Sequence, residues 1–357
     1  MDDKLLSVQI LRGLAATMVV VLHIFAAFDA YYGTSTLIEY PSLAAFLESG
    51  VDIFFVISGF IMFIVTRHKF SRGYTKEFIK KRIFRVLPLY WSLTLFYALL
   101  LILVPTAFNS ASFDWPKLIK SLLFIPHLNN DGDTMPVLSV GWTLNFEIYF
   151  YLIFAIALIF KKYIGILFIL SVFLLGSLIG DMYQLPAMLK VITSTLLFEF
   201  LFGVFIAAAY IYCKKKGGQF IFSKKLDLLL GLTFTVVIAS YWTLLYPEFN
   251  NDRYSRSILW GGVSAITVVL FLLLDFWIKN ISPAIFIGNI SYSLYLIQVF
   301  TLPVTIKLAI MSEYSSSFFL VILGVTQLLI SFVVAFFCYK FIELPTNKYL
   351  NRLFPSD

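Results

Sequence analysis

Residues 163–180 read YIGILFILSVFLLGSLIG, 18 consecutive positions without a charged side chain or a proline. A stretch of this length and polarity is long enough to cross the hydrocarbon core of a bilayer as an α-helix. Nine other apolar stretches of comparable length lie along the chain, at about 7–28, 50–66, 87–104, 142–160, 192–212, 226–246, 257–278, 286–309 and 318–341. The sequence therefore predicts an all-α fold, a polytopic membrane helical bundle of about ten transmembrane helices.

The composition of the 357 residues excludes a soluble globular protein. Hydrophobic residues make up 60% of the chain and charged residues only 13%, whereas charged residues form about a quarter of a soluble domain. No Pro-, Gly- or Ser-rich linker interrupts the apolar stretches, so we predict one membrane domain over residues 1–346 and a short cytoplasmic tail over 347–357. The net charge of +7 does not indicate a nucleic-acid partner, because the basic residues lie in short loops where membrane orientation accounts for them.

The distribution of Lys and Arg predicts which loops face the cytoplasm, since cytoplasmic loops carry the excess of these residues. With the N-terminus placed in the cytoplasm, the inside segments hold 20 of the 27 basic residues, eight of them in residues 67–86. The outside segments hold six, and Arg12 lies within the first apolar stretch. Both termini are therefore predicted to be cytoplasmic.

Arg12 and His23 are ionisable residues inside the first apolar stretch, where such a group is costly and by default marks a functional site. They are eleven residues apart, which is about three helical turns and about 16 Å along the axis, on nearly the same face. The structural alternative is that Arg12 extends to the inner interface while His23 makes a hydrogen bond within the bundle. The shared face favours a functional pair.

Asp52 begins the second stretch, in GVDIFFVISGF (residues 50–60), at the same predicted outer level as His23. A carboxylate there is able to hold an imidazole in one tautomer and stabilise its charged form. The alternative is an acidic residue placed favourably near the start of a helix. In the same segment, the small residues Ser58 and Gly59 predict the close approach of another helix.

Arg82 and Arg85 lie three residues apart at the predicted cytoplasmic end of the third span, and therefore on one helix face, with Lys81 beside them. Guanidinium pairs suit the bidentate recognition of phosphate. Membrane orientation alone requires positive charge at this end of the span, but it does not require two arginines on one face. The pattern favours a docking site for a phosphate-bearing donor that arrives from the cytoplasm.

Glu147 lies about one turn inside the predicted outer end of the fourth span, after Trp142 and Asn145. A buried acid there is able to accept a proton or to orient a sugar hydroxyl, and the alternative is a hydrogen bond to a neighbouring helix. We expect Trp142 and Asn145 to contact the substrate. His127 lies in SLLFIPHLNNDGDTMP (residues 121–136), whose prolines and Asn-Asn-Asp-Gly run predict an ordered outer loop, and we expect it to contact a glycan.

The three histidines of the chain are scattered, without the spacing of a ligand pair, so the sequence predicts no metal site.

These residues together resemble the acyltransferase-3 family of membrane acyltransferases, over about residues 5–346. The strongest element is Arg12 followed by His23 within LRGLAATMVVVLH (residues 11–23). Five further elements follow in order: GVDIFFVISGF (50–60), the Arg82 and Arg85 pair leading into VLPLYW (86–91), GWTLNFEIYFY (141–151), GNISYSLYLIQ (288–298) and FIELP (341–345).

The resemblance implies acyl-coenzyme A, usually acetyl-coenzyme A, as a cytoplasmic co-substrate. As acceptor it implies a hydroxyl of an extracytoplasmic glycan or lipid-linked saccharide. It also implies a multi-pass protein of the bacterial inner membrane, similar to the branch that O-acetylates exopolysaccharide or lipopolysaccharide. By position, His23 is expected to be catalytic with Arg12 as its partner, and Arg82 and Arg85 to contact the coenzyme's phosphates. In many relatives the segment that ends here at Gln298 ends in a histidine, so no acid or base role is assigned to Gln298.

The resulting hypothesis has the acyl donor docked at Arg82 and Arg85 with its thioester directed toward His23, which Asp52 or Glu147 orients. His23 then acts as a general base or transiently carries the acyl group, and the sequence leaves both roles open. The competing class is a carrier that moves a lipid-linked saccharide or a small anion without bond chemistry. Carriers often contain inverted halves with matching broken helices, whereas Arg12, His23 and the arginine pair all fall in the first quarter of this chain.

Overall fold

A computed structural model of the protein describes residues 5–105, 112–129, 132–182, 185–215, 229, 233, 256–275, 282–310 and 316–354. Within them lie thirteen α-helices: α1 (Leu6–Tyr32), α2 (Thr36–Glu39), α3 (Pro41–Thr66), α4 (Thr75–Leu103), α5 (Trp115–Leu122), α6 (Trp142–Ala157), α7 (Lys162–Met182), α8 (Ala187–Ile192), α9 (Leu197–Lys215), α10 (Gly261–Leu273), α11 (Ser282–Ile310), α12 (Ser317–Cys338) and α13 (Leu344–Leu353).

The predicted all-α polytopic membrane bundle is confirmed. Over the described ranges, nine helical segments are long and apolar enough to cross a membrane, and no strand is present beyond one isolated bridge between Leu128 and Thr134. The predicted span at 226–246 lies outside the described residues except for Leu229 and Thr233.

The chain divides into two compact units. Unit 1 comprises residues 1–66 and 198–334, and therefore holds α1 to α3, nearly all of α9, α10, α11 and most of α12. Unit 2 comprises residues 67–197 and 335–357, and holds α4 to α8 and α13.

Glycines bring helix backbones into direct contact in unit 1. A methyl group on Gly59 of α3 would lie 1.9 Å from the carbonyl oxygen of Phe200 in α9, and one on Gly203 would lie 1.9 Å from that of Val56. Both distances are far below van der Waals contact, so only glycine permits this crossing. The expectation that Gly59 serves close helix packing is confirmed.

Helices α1 and α11 make a second glycine crossing, and they run in the same direction. Gly13 lies against Gly288, the amide of Gln9 hydrogen-bonds Asn289, and further along both helices His23 hydrogen-bonds Gln298. Successive membrane spans alternate in direction. Because α1 and α11 correspond to the first and ninth predicted spans, the predicted count of ten spans also requires them to run in the same direction.

Helix α6 packs antiparallel against the first half of α4 in unit 2, in one register from Thr75 to Tyr90. Thr75 donates a hydrogen bond to the carbonyl of Ala155, the rings of Phe78 and Tyr151 meet edge to face with centroids 6.2 Å apart, and Tyr90 lies against Gly141. In each pair the residue numbers add to nearly the same value, as antiparallel contact requires.

Tyr90 also organises the end of unit 2 that carries α5 and the loop after it. Its ring stacks on Phe124 with centroids 4.8 Å apart, and its hydroxyl donates to the carbonyl of Ser121. The hydroxyl of Ser121 in turn accepts from the backbone N–H of Val137. The connection after α5 is thus an ordered loop from residue 121 to 129 and from 132 to 138, as the sequence predicts.

Helix α4 begins about twelve residues before the third span predicted at 87–104. The first turns of α4 contain charged residues, so an apolar stretch in the sequence does not include them. In these turns Glu77 pairs with Lys80 at 2.5 Å and with Lys81 at 3.2 Å. Such i,i+3 and i,i+4 pairs support a helix. Arg82 and Arg85 consequently lie inside this helix rather than ahead of it.

Candidate functional site

The imidazole of His23, on α1 in unit 1, is held in one orientation. Its Nδ1 lies 2.8 Å from the carbonyl oxygen of Val19 and 3.0 Å from Oε1 of Gln298. Both neighbours are acceptors, so Nδ1 carries the proton and Nε2 carries the lone pair. The residue as a whole is of intermediate burial, and an unprotonated ring nitrogen is what a general base or a nucleophile needs.

Gln298 is itself fixed by the backbone of α11. Its Nε2 donates a hydrogen bond to the carbonyl of Tyr295 at 2.8 Å, which leaves Oε1 as the atom directed at His23. The side chain is 1% exposed. This differs from the expectation that Asp52 or Glu147 orients the imidazole: an amide oxygen on the neighbouring parallel helix occupies that position.

Arg12 lies on α1 with His23, as expected, and its Nη1 donates to Oε1 of Gln9 at 3.2 Å. The side-chain amide of Gln9 in turn donates a hydrogen bond from Nε2 to Oδ1 of Asn289 at 3.0 Å. Arg12 is therefore held by polar contacts at the glycine crossing of α1 and α11, with its side chain partly exposed.

Asp52 is fully buried in unit 1, beside the fully buried Glu199 of α9. Its ion-pair partner is Arg256, whose Nη2 lies 3.7 Å from Oδ2 of Asp52 while Nη1 lies 3.2 Å from Oε2 of Glu48. The guanidinium also stacks on Trp260, 4.2 Å from the ring centroid. Asp52 thus belongs to an acid–arginine cluster that compensates a charge inside the span.

In unit 2, Arg82 and Arg85 share one face of α4, as the spacing predicts. The hydroxyl of Tyr151 donates a hydrogen bond to Oε1 of Glu147, and Arg82 lies within electrostatic reach of both side chains. Helix α6 therefore brings Glu147 to the arginine pair. Lys81 is oriented by different partners, since its Nζ pairs with Glu77 at 3.2 Å and lies over the ring of Tyr74.

The three residues expected to contact the substrate lie around the Tyr90 end of unit 2. Trp142 begins α6 directly after Gly141 and meets Phe146 edge to face, and Asn145 is 5% exposed. His127 lies in the ordered loop and donates from Nδ1 to the carbonyl of Ile125 at 3.1 Å.

Burial lowers the pKa of His127 below its ordinary value, and the charges of Lys120 and Lys117 lower it further against the hydrogen bond to Ile125. The imidazole is therefore neutral at physiological pH. With its proton on Nδ1, its buried Nε2 is an acceptor that has no donor among the residues the structure describes.

Sequence reasoning did not single out Tyr151, Arg256 or a contact between Gln298 and His23, and it gave Glu199 no role. Tyr151 follows Glu147 by four residues, a spacing that places both on one helix face, so this pair was detectable. The other contacts join helices far apart in sequence, and no local pattern encodes them. In the described ranges no group of three or more His, Cys, Asp or Glu side chains is arranged to hold a metal.

Comparison with known proteins gives two matches. The family described as Acyltransferase domain, acyltransferase 3, matches residues 5–339. The exopolysaccharide production protein ExoZ of Rhizobium meliloti (strain 1021) is 28% identical over 265 residues, which are 72% of this chain and 78% of that protein. No solved structure matches the chain.

Proposed function

The chain belongs to the acyltransferase-3 family, and from this premise we propose that it is an O-acyltransferase of the bacterial inner membrane. The proposed reaction moves an acyl group, acetyl in the usual case, from cytoplasmic acyl-coenzyme A to a hydroxyl of an extracytoplasmic or lipid-linked saccharide. The relative from Rhizobium meliloti is an exopolysaccharide production protein, which supports a saccharide acceptor. The multi-pass helical fold supports transfer at a membrane.

The observation that carries the proposal is the tautomer of His23. Because Val19 and Gln298 both accept from Nδ1, Nε2 is left as a base. We propose that Nε2 takes the proton of the acceptor hydroxyl as its oxygen attacks the thioester carbonyl. The carbon–sulfur bond then breaks, and the proton passes from Nε2 to the sulfur, which leaves as the coenzyme thiol.

The donor is proposed to bind through its phosphates at Arg82 and Arg85. Two guanidinium groups on one helix face form charge-assisted hydrogen bonds with phosphate oxygens. Glu147 offsets one of the two positive charges, so the site keeps a net positive charge that attracts an anion.

The test is acyl transfer by purified protein in detergent, given radiolabelled acetyl-coenzyme A and candidate saccharides. We expect His23→Ala to bind acetyl-coenzyme A normally by calorimetry and to lose transfer by about 10²- to 10⁴-fold, the range that general base catalysis typically contributes. His68→Ala is the matched control, since His68 is exposed in the turn before α4 and its loss should change neither quantity.

Near-normal transfer by His23→Ala would rule out the assigned role of the imidazole. Label that remains on His23 when no acceptor is present would replace general base catalysis with a covalent intermediate. Movement of saccharide across vesicles without any label transfer would favour the carrier instead of an enzyme.

A further inference from the structure

Arg82 and Glu147 lie at the same level of unit 2, although the sequence predicts them at opposite ends of their spans. The antiparallel register of α4 and α6 places Arg82 about 10 Å along the axis from the Thr75 level and about 12 Å from the Tyr90 level. Arg82 therefore lies in the first third of α4 and about midway along the part of α4 that packs against α6, at the level of Tyr151 and Glu147.

The side chains of Tyr151 and Glu147 are joined by a hydrogen bond next to Arg82. The hydroxyl of Tyr151 donates its single proton to Glu147, so the oxygen of that hydroxyl keeps lone pairs that can accept from a guanidinium. The ring of Tyr151 packs against Phe78, over which the guanidinium of Arg82 lies. Nε of Arg82 is buried and has no hydrogen-bond partner among the residues the structure describes.

Aromatic rings restrict Arg82 further. Its guanidinium carbon lies 5.9 Å from the centroid of the Phe78 ring, within the range of a cation–π contact. Phe78 is 1% exposed and packs against the rings of Tyr151 and Phe154. One face of the guanidinium thus lies against a buried cluster of aromatic rings.

We propose that Tyr151 and Glu147 are positioning residues for the acyl donor: they hold the guanidinium of Arg82, which together with Arg85 binds a phosphate of acyl-coenzyme A. This inference rests on the proposed function, in which the arginine pair binds the donor. It gives Glu147 a role through Arg82, not as a base on the acceptor hydroxyl. Glu147 also reduces the repulsion between two neighbouring guanidinium groups, which is otherwise greatest when no phosphate is bound.

The experiment measures donor binding and transfer separately, on purified protein in detergent. Calorimetry with acetyl-coenzyme A and with adenosine bisphosphate, the phosphate-bearing part that lacks the thioester, gives Kd. Steady-state transfer of radiolabelled acetyl groups gives KM for the donor and kcat. The variants are Tyr151→Phe, Glu147→Gln, Arg82→Ala, Arg85→Ala and the double variant of Tyr151→Phe with Arg82→Ala.

Tyr151→Phe and Glu147→Gln should each raise Kd for both ligands about threefold to tenfold, the value of one ordinary hydrogen bond. We expect kcat at saturating donor to stay within about twofold, because no reacting atom is touched. In the Arg82→Ala background, Tyr151→Phe should add nothing further, since Tyr151 acts through Arg82. Tyr149→Phe is the matched control, as Tyr149 lies on the same helix and packs against Phe173.

The outcomes distinguish the positioning role of Tyr151 and Glu147 from the binding of the donor at the arginine pair. Weaker donor binding in Arg82→Ala with unchanged binding in Tyr151→Phe and Glu147→Gln would overturn the inference and leave the donor site intact. Unchanged binding in both Arg82→Ala and Arg85→Ala would overturn the donor site and the inference with it. A fall in kcat of about 10²-fold or more in Glu147→Gln at unchanged Kd would identify Glu147 as a base. If Tyr151→Phe does not fold, Glu147→Gln carries the same comparison.

Discussion

At the scale of single residues, the amide of Gln298 has the largest effect on the proposed chemistry. An amide side chain presents either an oxygen or an NH2 group, and here the carbonyl of Tyr295 accepts the NH2. The oxygen therefore faces Nδ1 of His23, which fixes both the ring orientation and the nitrogen that stays basic. In the proposed mechanism, Gln298 takes the position that a carboxylate holds beside many catalytic histidines.

Replacement of Gln298 tests this role. We expect Gln298→Leu to lower kcat by roughly tenfold or more, because an imidazole that loses one acceptor spends less time with Nε2 aimed at the hydroxyl. Donor Kd should not change. Gln298→Glu retains an acceptor oxygen at this position and should recover most of the lost rate.

The control for that replacement is Gln327→Leu. Gln327 is also fully buried in unit 1, and its amide makes no hydrogen bond within the described ranges. Equal losses in Gln298→Leu and Gln327→Leu, or no recovery in Gln298→Glu, would show that Gln298 serves packing alone.

At the scale of helices, close backbone contact sets the register in which side chains meet. The crossing of α1 and α11 at Gly13 and Gly288 lies ten residues before the His23–Gln298 pair on each helix. A shift of one helix relative to the other at the crossing would separate the imidazole from its acceptor. The glycines therefore act on the site through geometry, without contacting it.

Gly288→Ala should disrupt this crossing. Its new Cβ would lie 2.0 Å from the carbonyl oxygen of Gln9, so the helices must separate, at a cost of about 1–3 kcal/mol. We expect a lower melting temperature in detergent together with reduced acyl transfer.

Gly262→Ala provides the contrast, because a methyl group there meets nothing within 4 Å. Gly262 is the second residue of α10 and follows the helical turn Arg256–Trp260, so an alanine there should leave stability unchanged or raise it by about 0.5–1 kcal/mol. Similar melting temperatures for the two variants would mean that the glycine crossing does not determine the packing of α1 and α11.

At the scale of the whole molecule, the charge distribution predicts how the chain is oriented in the membrane. The 20 basic residues on one side against six on the other predict cytoplasmic termini. Within unit 2, the Thr75 level of α4 and the loop packed on Tyr90 lie about 22 Å apart along the helix, on opposite sides of the arginine pair. The orientation therefore decides from which side the proposed donor would reach Arg82.

Cysteine labelling tests the orientation. In a background in which Cys213 and Cys338 are replaced by serine, Lys76→Cys should react with a membrane-impermeant maleimide only from the cytoplasmic side. Asn130→Cys should react only from the outside. Reversed or equal labelling of the two positions in intact cells and inverted vesicles would overturn the orientation and the cytoplasmic route of the donor.

The sequence by itself determined the fold class and the residue types of the site. Uninterrupted apolar stretches such as residues 163–180 are sufficient for helices in a bilayer, because lipid leaves the backbone no other partner than itself. Helical spacing likewise placed Arg12 with His23 and Arg82 with Arg85 on common faces. These are properties of single helices, which is why local sequence encodes them.

Only the tertiary structure decided which side chains meet. Gln298 beside His23, Arg256 beside Asp52 and Tyr151 beside Arg82 are contacts between helices. The register of each helix pair follows from close packing at points such as Gly288 and Gly203. Helix packing in a membrane depends on the shape of both surfaces at once, so neither helix encodes its partner alone.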